Sequence, residues 1–203
     1  MKPNQPPKAH SGAHQLRIIG GQWRSRRLPI LALEGLRPTP DRVRETLFNW
    51  LQFPVRDARC LDLFAGSGAL GLEALSRGAA EVVLVEKHPK AANTLQNNVS
   101  TLKANQAQVL NQDALEYLSQ VSQPFDIIFL DPPFHHDWLP KVLDIIIQKS
   151  LIKANGYVYI EHEAELNIDL SQWHLTVHRE LKTGQVRCVL VRFVPPANTL
   201  TVD

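Results

Sequence analysis

The sequence has few of the features that mark secreted, disulfide-stapled or membrane proteins. Its 203 residues include only two cysteines, Cys60 and Cys188. Each lies inside an apolar stretch typical of a buried strand, so packing explains them better than a disulfide or a metal site. No run of about eighteen apolar residues occurs, and the first fourteen residues lack the apolar stretch of a secretory signal. We therefore expect a soluble, cytoplasmic protein without a metal centre.

Charge is unevenly distributed along the chain, although the formal net charge is only +2. Residues 1–60 contain 11 lysines and arginines against 4 acidic residues, whereas residues 61–203 contain 11 against 16. Basic segments bind polyanions because their side chains release counterions from phosphates. The distribution is compatible with a nucleic-acid-binding segment attached to an acidic body, and equally with a merely solvated surface.

The composition divides the chain into four expected parts. These are a flexible leader over 1–15, a basic hairpin-and-helix extension over 16–52, a main domain over 53–195 and a tail over 196–203. Within the extension, Leu16–Ile19 and Trp23–Ile30 are predicted to be two strands around Gly20-Gly21. Thr39 is expected to cap the helix that follows, with Pro40 at its first position.

The remaining sequence predicts an α/β fold of the doubly wound, Rossmann-like kind. Apolar runs alternate with helical patterns, which is typical of a parallel sheet covered by helices on both faces. The predicted parallel strands are Cys60–Phe64, Val82–Val85, Ala107–Leu110, Phe125–Leu130 and Tyr157–Ile160. Two further runs, Trp173–Leu181 and Val186–Val194, are joined by Lys182-Thr183-Gly184-Gln185 and predict an antiparallel C-terminal hairpin.

A glycine-rich turn follows the first predicted parallel strand and precedes a helix. It contains Gly66, Ser67, Gly68 and Gly71. Glycines there allow a tight turn and a close approach of the backbone to a ligand. Glu86, twenty residues after Gly66, ends the next strand, where a carboxylate can accept hydrogen bonds from ribose hydroxyls. Asp113-Ala114 follows the third strand and would lie beside an adenine.

The spacing of these glycines fits two cofactors. A nicotinamide dinucleotide and S-adenosylmethionine both remain open on the spacing alone, as does a purely structural role in helix packing. Asp62 favours S-adenosylmethionine, because a carboxylate just before the turn suits an ammonium group better than a pyrophosphate.

A second motif, Asp131-Pro132-Pro133-Phe134, follows the predicted strand Phe125–Leu130. Two consecutive prolines remove two N–H donors, so the segment offers mainly acceptors: its carbonyls and the Asp131 carboxylate. Such a surface can orient an exocyclic amine toward a methyl donor, while Phe134 stacks on an unstacked base. These four residues are the predicted catalytic segment; the alternative is a rigid turn with Asp131 as a helix cap and Phe134 in the core.

Taken together, residues 62–71, Glu86, Asp113 and the Asp-Pro-Pro-Phe segment resemble those of class I S-adenosylmethionine-dependent methyltransferases that modify amines. The segments Arg17–Arg24 and Arg37–Leu51 are similar to those of the bacterial RsmD type, the 16S rRNA guanine-N2 methyltransferases. The resemblance extends from Leu16 to Phe193.

The resemblance implies a function and several site residues. The expected reaction is transfer of a methyl group from S-adenosyl-L-methionine to N2 of guanine 966 in 16S rRNA, on an assembled or partly assembled 30S particle. Thr39 and Arg42 match the family segment that closes over the methionine end of the cofactor. We expect a monomer, with His135 and His136 solvated in the loop after the catalytic segment.

The basic extension supplies the expected RNA contacts. The candidates for phosphate contact are Arg17, Arg24, Arg26, Arg27, Arg37 and Arg44. Trp23 could stack on a base, although packing within the hairpin is favoured. Three other functions stay open at this point: a DNA adenine-N6 methyltransferase, a nicotinamide-dependent oxidoreductase and a non-catalytic RNA-binding module.

Overall fold

The computed structural model describes residues 15–31, 39–134 and 137–196. Arg37, His135, His136, the predicted leader up to residue 14 and the tail beyond residue 196 lie outside these ranges. The strands are β1 (Gln15–Arg17), β2 (Arg27–Pro29), β3 (Arg59–Asp62), β4 (Glu81–Val85), β5 (Ala107–Leu110), β6 (Phe125–Leu130), β7 (Ile152–Glu163), β8 (Leu175–Thr183) and β9 (Val186–Phe193). The α-helices are α1 (Asp41–Trp50), α2 (Ala69–Ser76), α3 (Pro89–Leu102), α4 (Ala114–Gln120) and α5 (Trp138–Gln148).

Seven strands form one sheet in the order β5-β4-β3-β6-β7-β9-β8. The first five in this order are parallel, and β9 and β8 add the antiparallel hairpin. The strand order reverses between β3 and β6, where open α/β sheets place their ligands. The predicted fold class is therefore confirmed, including the antiparallel C-terminal hairpin.

Helices cover both faces of the sheet, and alternation along each strand divides the core into two layers. The first layer lies under α1, α2 and α3 and includes Cys60, Leu84, Phe129 and Tyr159. The second lies under α4 and α5 and includes Leu61 among its strand residues. Both cysteines are free and buried, as the sequence predicts, and burial raises the pKa of the Cys188 thiol to about 12.

The N-terminal hairpin docks on α2 through a buried carboxylate. The Glu73 oxygens accept hydrogen bonds from the backbone N–H groups of Ile19 and Gly20, both at 2.8 Å, and Glu73 also pairs with Arg44 and Arg77. Gly21 has a positive φ of 73°, and a Cβ there would collide with the carbonyl oxygen of Ser76. Gly21 is thus required for close docking as well as for the turn.

Three local predictions in and around the hairpins are wrong. The second N-terminal strand covers only Arg27–Pro29, because Gly21–Trp23 forms a 3-10 helix against α2. Thr39 does not cap α1; Pro40 is the N-cap residue, and the Thr39 hydroxyl bonds to a distant carboxylate instead. Trp173 belongs to a 3-10 helix, so β8 begins at Leu175.

In the portion of the chain with described coordinates, no helix is long and apolar enough to cross a bilayer. The same portion contains no cluster of three or more histidine, cysteine or acidic side chains arranged to hold a metal ion.

Candidate active site

Four neighbouring strands each deliver a carboxylate to one face of the sheet at its carboxyl edge. Cys60, Leu84, Phe129 and Tyr159 all face the first core layer. Because side chains alternate along a strand, the residues two positions later face the same way. These are Asp62 on β3, Glu86 after β4, Asp131 after β6 and Glu161 on β7. We call these four side chains the carboxylate edge.

The strand register sets the depth of each carboxylate. Asp62 pairs with Leu84 and Phe129, so it lies one side-chain repeat behind Glu86 and Asp131. Leu130 pairs with Ile160, which brings Asp131 level with Glu161. Asp62 is accordingly the most buried member, at 1% exposure, whereas Asp131 is half-buried.

Asp62 and Glu86 hold the glycine-rich turn through its backbone. Asp62 accepts a hydrogen bond from the Gly71 N–H at 2.9 Å. Glu86 accepts from the N–H groups of Gly66 at 2.8 Å and His88 at 2.7 Å. A carboxylate has about four acceptor positions, so both side chains keep capacity for a ligand.

Asp131 and Glu161 form the second half of the edge. The Glu161 carboxylate accepts hydrogen bonds from the hydroxyls of Tyr159 at 2.9 Å and Thr39 at 3.1 Å. For the Asp131 carboxylate, by contrast, no hydrogen-bond donor occurs among the described residues. Its oxygens are therefore available as acceptors.

The carboxylate edge has no cationic side chain to balance it within the described ranges. Burial raises the pKa of Asp62 to about 7, with the Glu86 and Glu161 charges adding to the rise. Burial, followed by the charges of Glu161 and Asp62, raises the pKa of Asp131, and burial raises that of Glu161. Accumulated, unbalanced negative charge of this kind favours a cationic ligand.

S-adenosylmethionine fits this site by its charges and by the shape of the turn. Its ammonium and sulfonium groups would supply the missing positive charge. Gly68 adopts a left-handed conformation with φ of 78°, and a Cβ at Gly71 would collide with Leu84. The turn therefore presents bare backbone and the N-terminus of α2 to the cleft, while Ser67 in the same turn is buried.

Asp113 and Ala114 lie at the same edge, beyond Glu86. Asp113 caps α4 by accepting from the Leu115 N–H at 2.9 Å, and the hydrogen bond from Lys87 lowers the pKa of this carboxyl. Gln112 donates its backbone N–H to the Glu86 carbonyl, which ties the two loops together. The structure thus brings all the predicted cofactor residues of β3 to β5 to one side of the cleft.

The Asp-Pro-Pro-Phe segment leaves β6, the strand next to β3, so it lies beside the glycine-rich turn at the same sheet edge. Pro132 is buried, Pro133 is exposed and Phe134 is half-exposed. Phe64, at the start of the turn, packs edge-on against Trp138 of α5, with ring centroids 5.5 Å apart. Both rings pack against the second core layer, at the start of α5.

The predicted RNA contacts fall into two groups. Arg24, Arg26 and Arg27 are exposed on the hairpin, and the Arg26 side chain donates to the carbonyl of Thr101 at 3.3 Å. Arg17 is exposed too but pairs with Asp41 at 2.7 Å. Trp23 is half-buried against the first core layer, in agreement with the packing alternative.

Arg44 does not fit the expectation of a phosphate contact. Its side chain is only 1% exposed and is held by Asp41, Glu73 and the carbonyls of Arg17 and Thr39. Because these acceptors belong to β1, α1, α2 and the segment before α1, the buried Arg44 side chain connects the hairpin to both helices and does not reach solvent. Arg42, expected near the cofactor, is exposed on α1, and no side-chain partner for it occurs within the described residues.

Two buried carboxylates were not predicted from the sequence, one in the site and one outside it. Glu161 lies inside β7, which is eight residues longer than predicted. The signal was present, because an acidic residue follows the Tyr157–Ile160 run directly, as Glu86 and Asp131 follow the runs Val82–Val85 and Phe125–Leu130. Glu73 fits the pattern of an ordinary helical residue, and nothing in the local sequence indicates that its carboxylate binds two arginines and two backbone amides.

The parallel sheet, the glycine-rich turn and the carboxylate edge define a class I S-adenosylmethionine-dependent methyltransferase. The family described as conserved hypothetical protein 95 matches residues 16–192. This chain belongs to that family, the RsmD family of methyltransferases.

Named relatives cover nearly the whole chain. Ribosomal RNA small subunit methyltransferase D of Escherichia coli K12 is 47% identical over 185 residues, 91% of each protein. The protein of that name from Haemophilus influenzae is 45% identical over 190 residues, 92% of this chain and 96% of that one. The solved structure of yhhF from Escherichia coli has a TM-score of 0.82 at 45% identity, covering 90% of this chain and all of that one.

Proposed function

We propose that this protein methylates N2 of guanine 966 in 16S rRNA, using S-adenosylmethionine as methyl donor. The observation that carries the proposal is the position of Asp131. Its carboxylate, which has no hydrogen-bond donor among the described residues, lies level with Glu161 and across the strand-order reversal from the glycine-rich turn. The family relationship supports the choice of ribosomal RNA over DNA, because the two relatives compared above are named as small-subunit rRNA methyltransferases.

The glycine-rich turn and the carboxylate edge would hold the cofactor. Asp62 is suited to the ammonium group, Glu86 to the ribose hydroxyls and Asp113-Ala114 to the adenine. Gly66, Ser67, Gly68 and Gly71 would contribute backbone contacts. Thr39 stands beside this site through its bond to Glu161, and the proposal includes Arg42 as a side chain that closes over the methionine end.

Asp131 and the two prolines would orient the guanine. When bound, S-adenosylmethionine supplies an electrophilic methyl group, and the sulfur keeps the electron pair of the broken C–S bond. The Asp131 carboxylate and the carbonyls beside it accept the two N2 hydrogens, which helps localise the nitrogen lone pair and aims it at the methyl carbon. Phe134 would stack on the base, which leaves its helix to reach the cleft. The N2 proton released on methylation passes to Asp131 or to water.

The exposed arginines of the hairpin would bind RNA phosphates next to the target. The proposal makes the protein a monomeric, cytoplasmic enzyme that acts on an assembled or partly assembled 30S particle. A folded particle would present the guanine together with the phosphates that Arg24, Arg26 and Arg27 contact.

The test is transfer of labelled methyl groups from S-adenosylmethionine to 30S particles, naked 16S rRNA and DNA from cells that lack this protein. We expect label in N2-methylguanosine, mapped to position 966 and preferentially on the particle. The Asp131→Ala variant is the matched negative control. Label in N6-methyladenine of DNA would contradict the substrate, and absence of label from every substrate would contradict the activity.

A further inference from the structure

A second basic surface lies on the C-terminal hairpin, away from the predicted RNA-binding residues. It consists of Tyr157, His178, Arg179 and Arg192, which we call the hairpin patch. Tyr157 pairs with Arg192 in the ladder between β7 and β9, and Arg179 pairs with Leu190 in the ladder between β9 and β8. Leu190 belongs to the first core layer, so the patch lies on the same sheet face as α1.

The side chains of the patch contact one another and leave their charges unbalanced. The His178 ring packs edge-on against Tyr157, with centroids 5.5 Å apart. Among the described residues, the Arg179 side chain donates only to the carbonyl of His178, at 2.9 Å, and the Arg192 side chain has no hydrogen-bond or ion-pair partner. Partial burial and the charges of Arg179 and Arg192 lower the pKa of His178. Like charges so close together destabilise the free protein.

The opposite face of the same hairpin differs from the patch, because its arginine has an acidic partner. There Arg187 pairs with Glu180, at 2.5 Å and 3.1 Å. On that face Lys182 is exposed beside the paired arginine. The hairpin patch has an aromatic ring at its centre, and its arginines have no acidic partner among the described residues. A polyanion with stackable groups is the ligand that such a surface fits.

The position of the patch indicates which part of a polyanion it would meet. On this sheet face, α1 covers β6 and β7, with Phe48 against Phe129 and Phe129 against Tyr159. The N-terminal hairpin lies to one side of α1, on α2 and α3, and the patch lies to the other side. Tyr157 precedes Glu161 by four residues, about 13 Å along the strand, so the patch is outside the cleft.

We propose that the hairpin patch is a second RNA-binding surface, which holds a segment of rRNA that flanks the target nucleotide on the far side of α1. This inference rests on the proposed function for the identity of the RNA. Arg179 and Arg192 bind its phosphates, and Tyr157 with His178 offers an aromatic platform to a sugar or base. The two basic surfaces then bind the RNA on both sides of α1.

The test is binding of naked 16S rRNA as a function of salt, with methyl transfer measured in parallel. Arg192→Gln should weaken binding about threefold and Arg179→Gln/Arg192→Gln about tenfold near 0.15 M salt, with the salt slope reduced by about one for each lost phosphate contact. Lys141→Gln is the matched control, because Lys141 is an exposed cation on α5, on the opposite sheet face. Cofactor affinity and kcat at saturating RNA should stay at the wild-type values.

The outcomes separate this inference from the proposed function. If the wild type, the double variant and Lys141→Gln bind RNA equally, the hairpin patch is not an RNA-binding surface, whatever the methyl-transfer activity. Loss of RNA binding in the double variant, with no methyl transfer by the wild type, would overturn the proposed activity and support the patch. A wild type that binds acidic protein but no RNA would overturn both.

Discussion

The molecule buries carboxylates in two regions, which differ in whether cationic side chains pair with them. Glu73, which is fully buried, is met by Arg44, Arg77 and two backbone amides. The carboxylate edge buries Asp62 and Glu161 just as thoroughly, yet no cation balances them within the described residues. Buried charge is costly unless it is paired. The paired region therefore holds the fold together, whereas the unpaired region is prepared for a ligand that brings its own positive charge.

The largest expected effect is on the rate of methyl transfer, and it comes from Asp131 in the unpaired region. Asp131→Asn should lower kcat by about a thousandfold, because the amine loses its acceptor and meets an amide N–H group instead. Cofactor affinity should change by less than about fivefold, since Asp131 orients the base. The measurement is single-turnover methyl transfer with a parallel cofactor titration. Asp126→Asn is the control, because Asp126 lies on the same strand at the opposite sheet edge; equal activity of both variants would contradict the role of Asp131.

A substitution in the paired region should lower the stability of the fold. Glu73→Gln should lower the free energy of unfolding by about 3 to 5 kcal/mol, because the buried guanidinium of Arg44 loses one of its two carboxylate partners and Arg77 loses its own. Urea denaturation measures this loss, and the exposed Glu116→Gln on α4 should change stability by less than about 0.5 kcal/mol. Folded Glu73→Gln should still bind S-adenosylmethionine. A variant of unchanged stability would mean that the ion cluster does not anchor the hairpin.

Asp62→Asn should have the reverse effect on stability. The folded pKa of about 7 lies above the ordinary value of 3.8, so the native state loses stability as the pH rises from about 4 to above 7. The neutral amide avoids this loss, which amounts to about 4 kcal/mol as an upper bound, and it can still accept from the Gly71 N–H. We expect a higher Tm at pH 8, little difference near pH 4, and cofactor affinity reduced about tenfold to a hundredfold. A less stable variant at pH 8 with normal cofactor affinity would contradict the comparison.

The smallest expected effect concerns the exposed arginines of the N-terminal hairpin. Changing Arg24, Arg26 and Arg27 together to glutamine should weaken rRNA binding about tenfold and flatten its salt dependence. Cofactor affinity should not change, since these side chains are exposed and no contact joins them to the carboxylate edge among the described residues. Binding titrations at several salt concentrations check both expectations. An equal loss of cofactor affinity would show that the hairpin also supports the cleft.

The sequence predicts the parts of the site that depend on local pattern. Strands β5 and β6 have the predicted bounds, and the glycine-rich turn lies between β3 and α2 as expected. Turns and buried parallel strands are encoded by neighbouring residues, so a single sequence reveals them.

Long-range contacts account for what the sequence did not predict. Thr39 is a good capping residue by type, but it bonds to Glu161, 122 positions away. Arg44 lies among basic residues in the sequence, and only the folded contacts with Glu73 and Asp41 make it structural. Such pairings depend on how α1 packs against the sheet, which no local pattern encodes.

The central claim is that the carboxylate edge is the site of a cationic cofactor. Calorimetric titration with S-adenosylmethionine at pH 7, in two buffers of different ionisation enthalpy, tests it most directly. Because Asp62, Asp131 and Glu161 have raised pKa values, binding should release protons, and the number released should fall in Asp62→Asn. Binding without proton release, or no binding of either S-adenosylmethionine or S-adenosylhomocysteine, would contradict the claim.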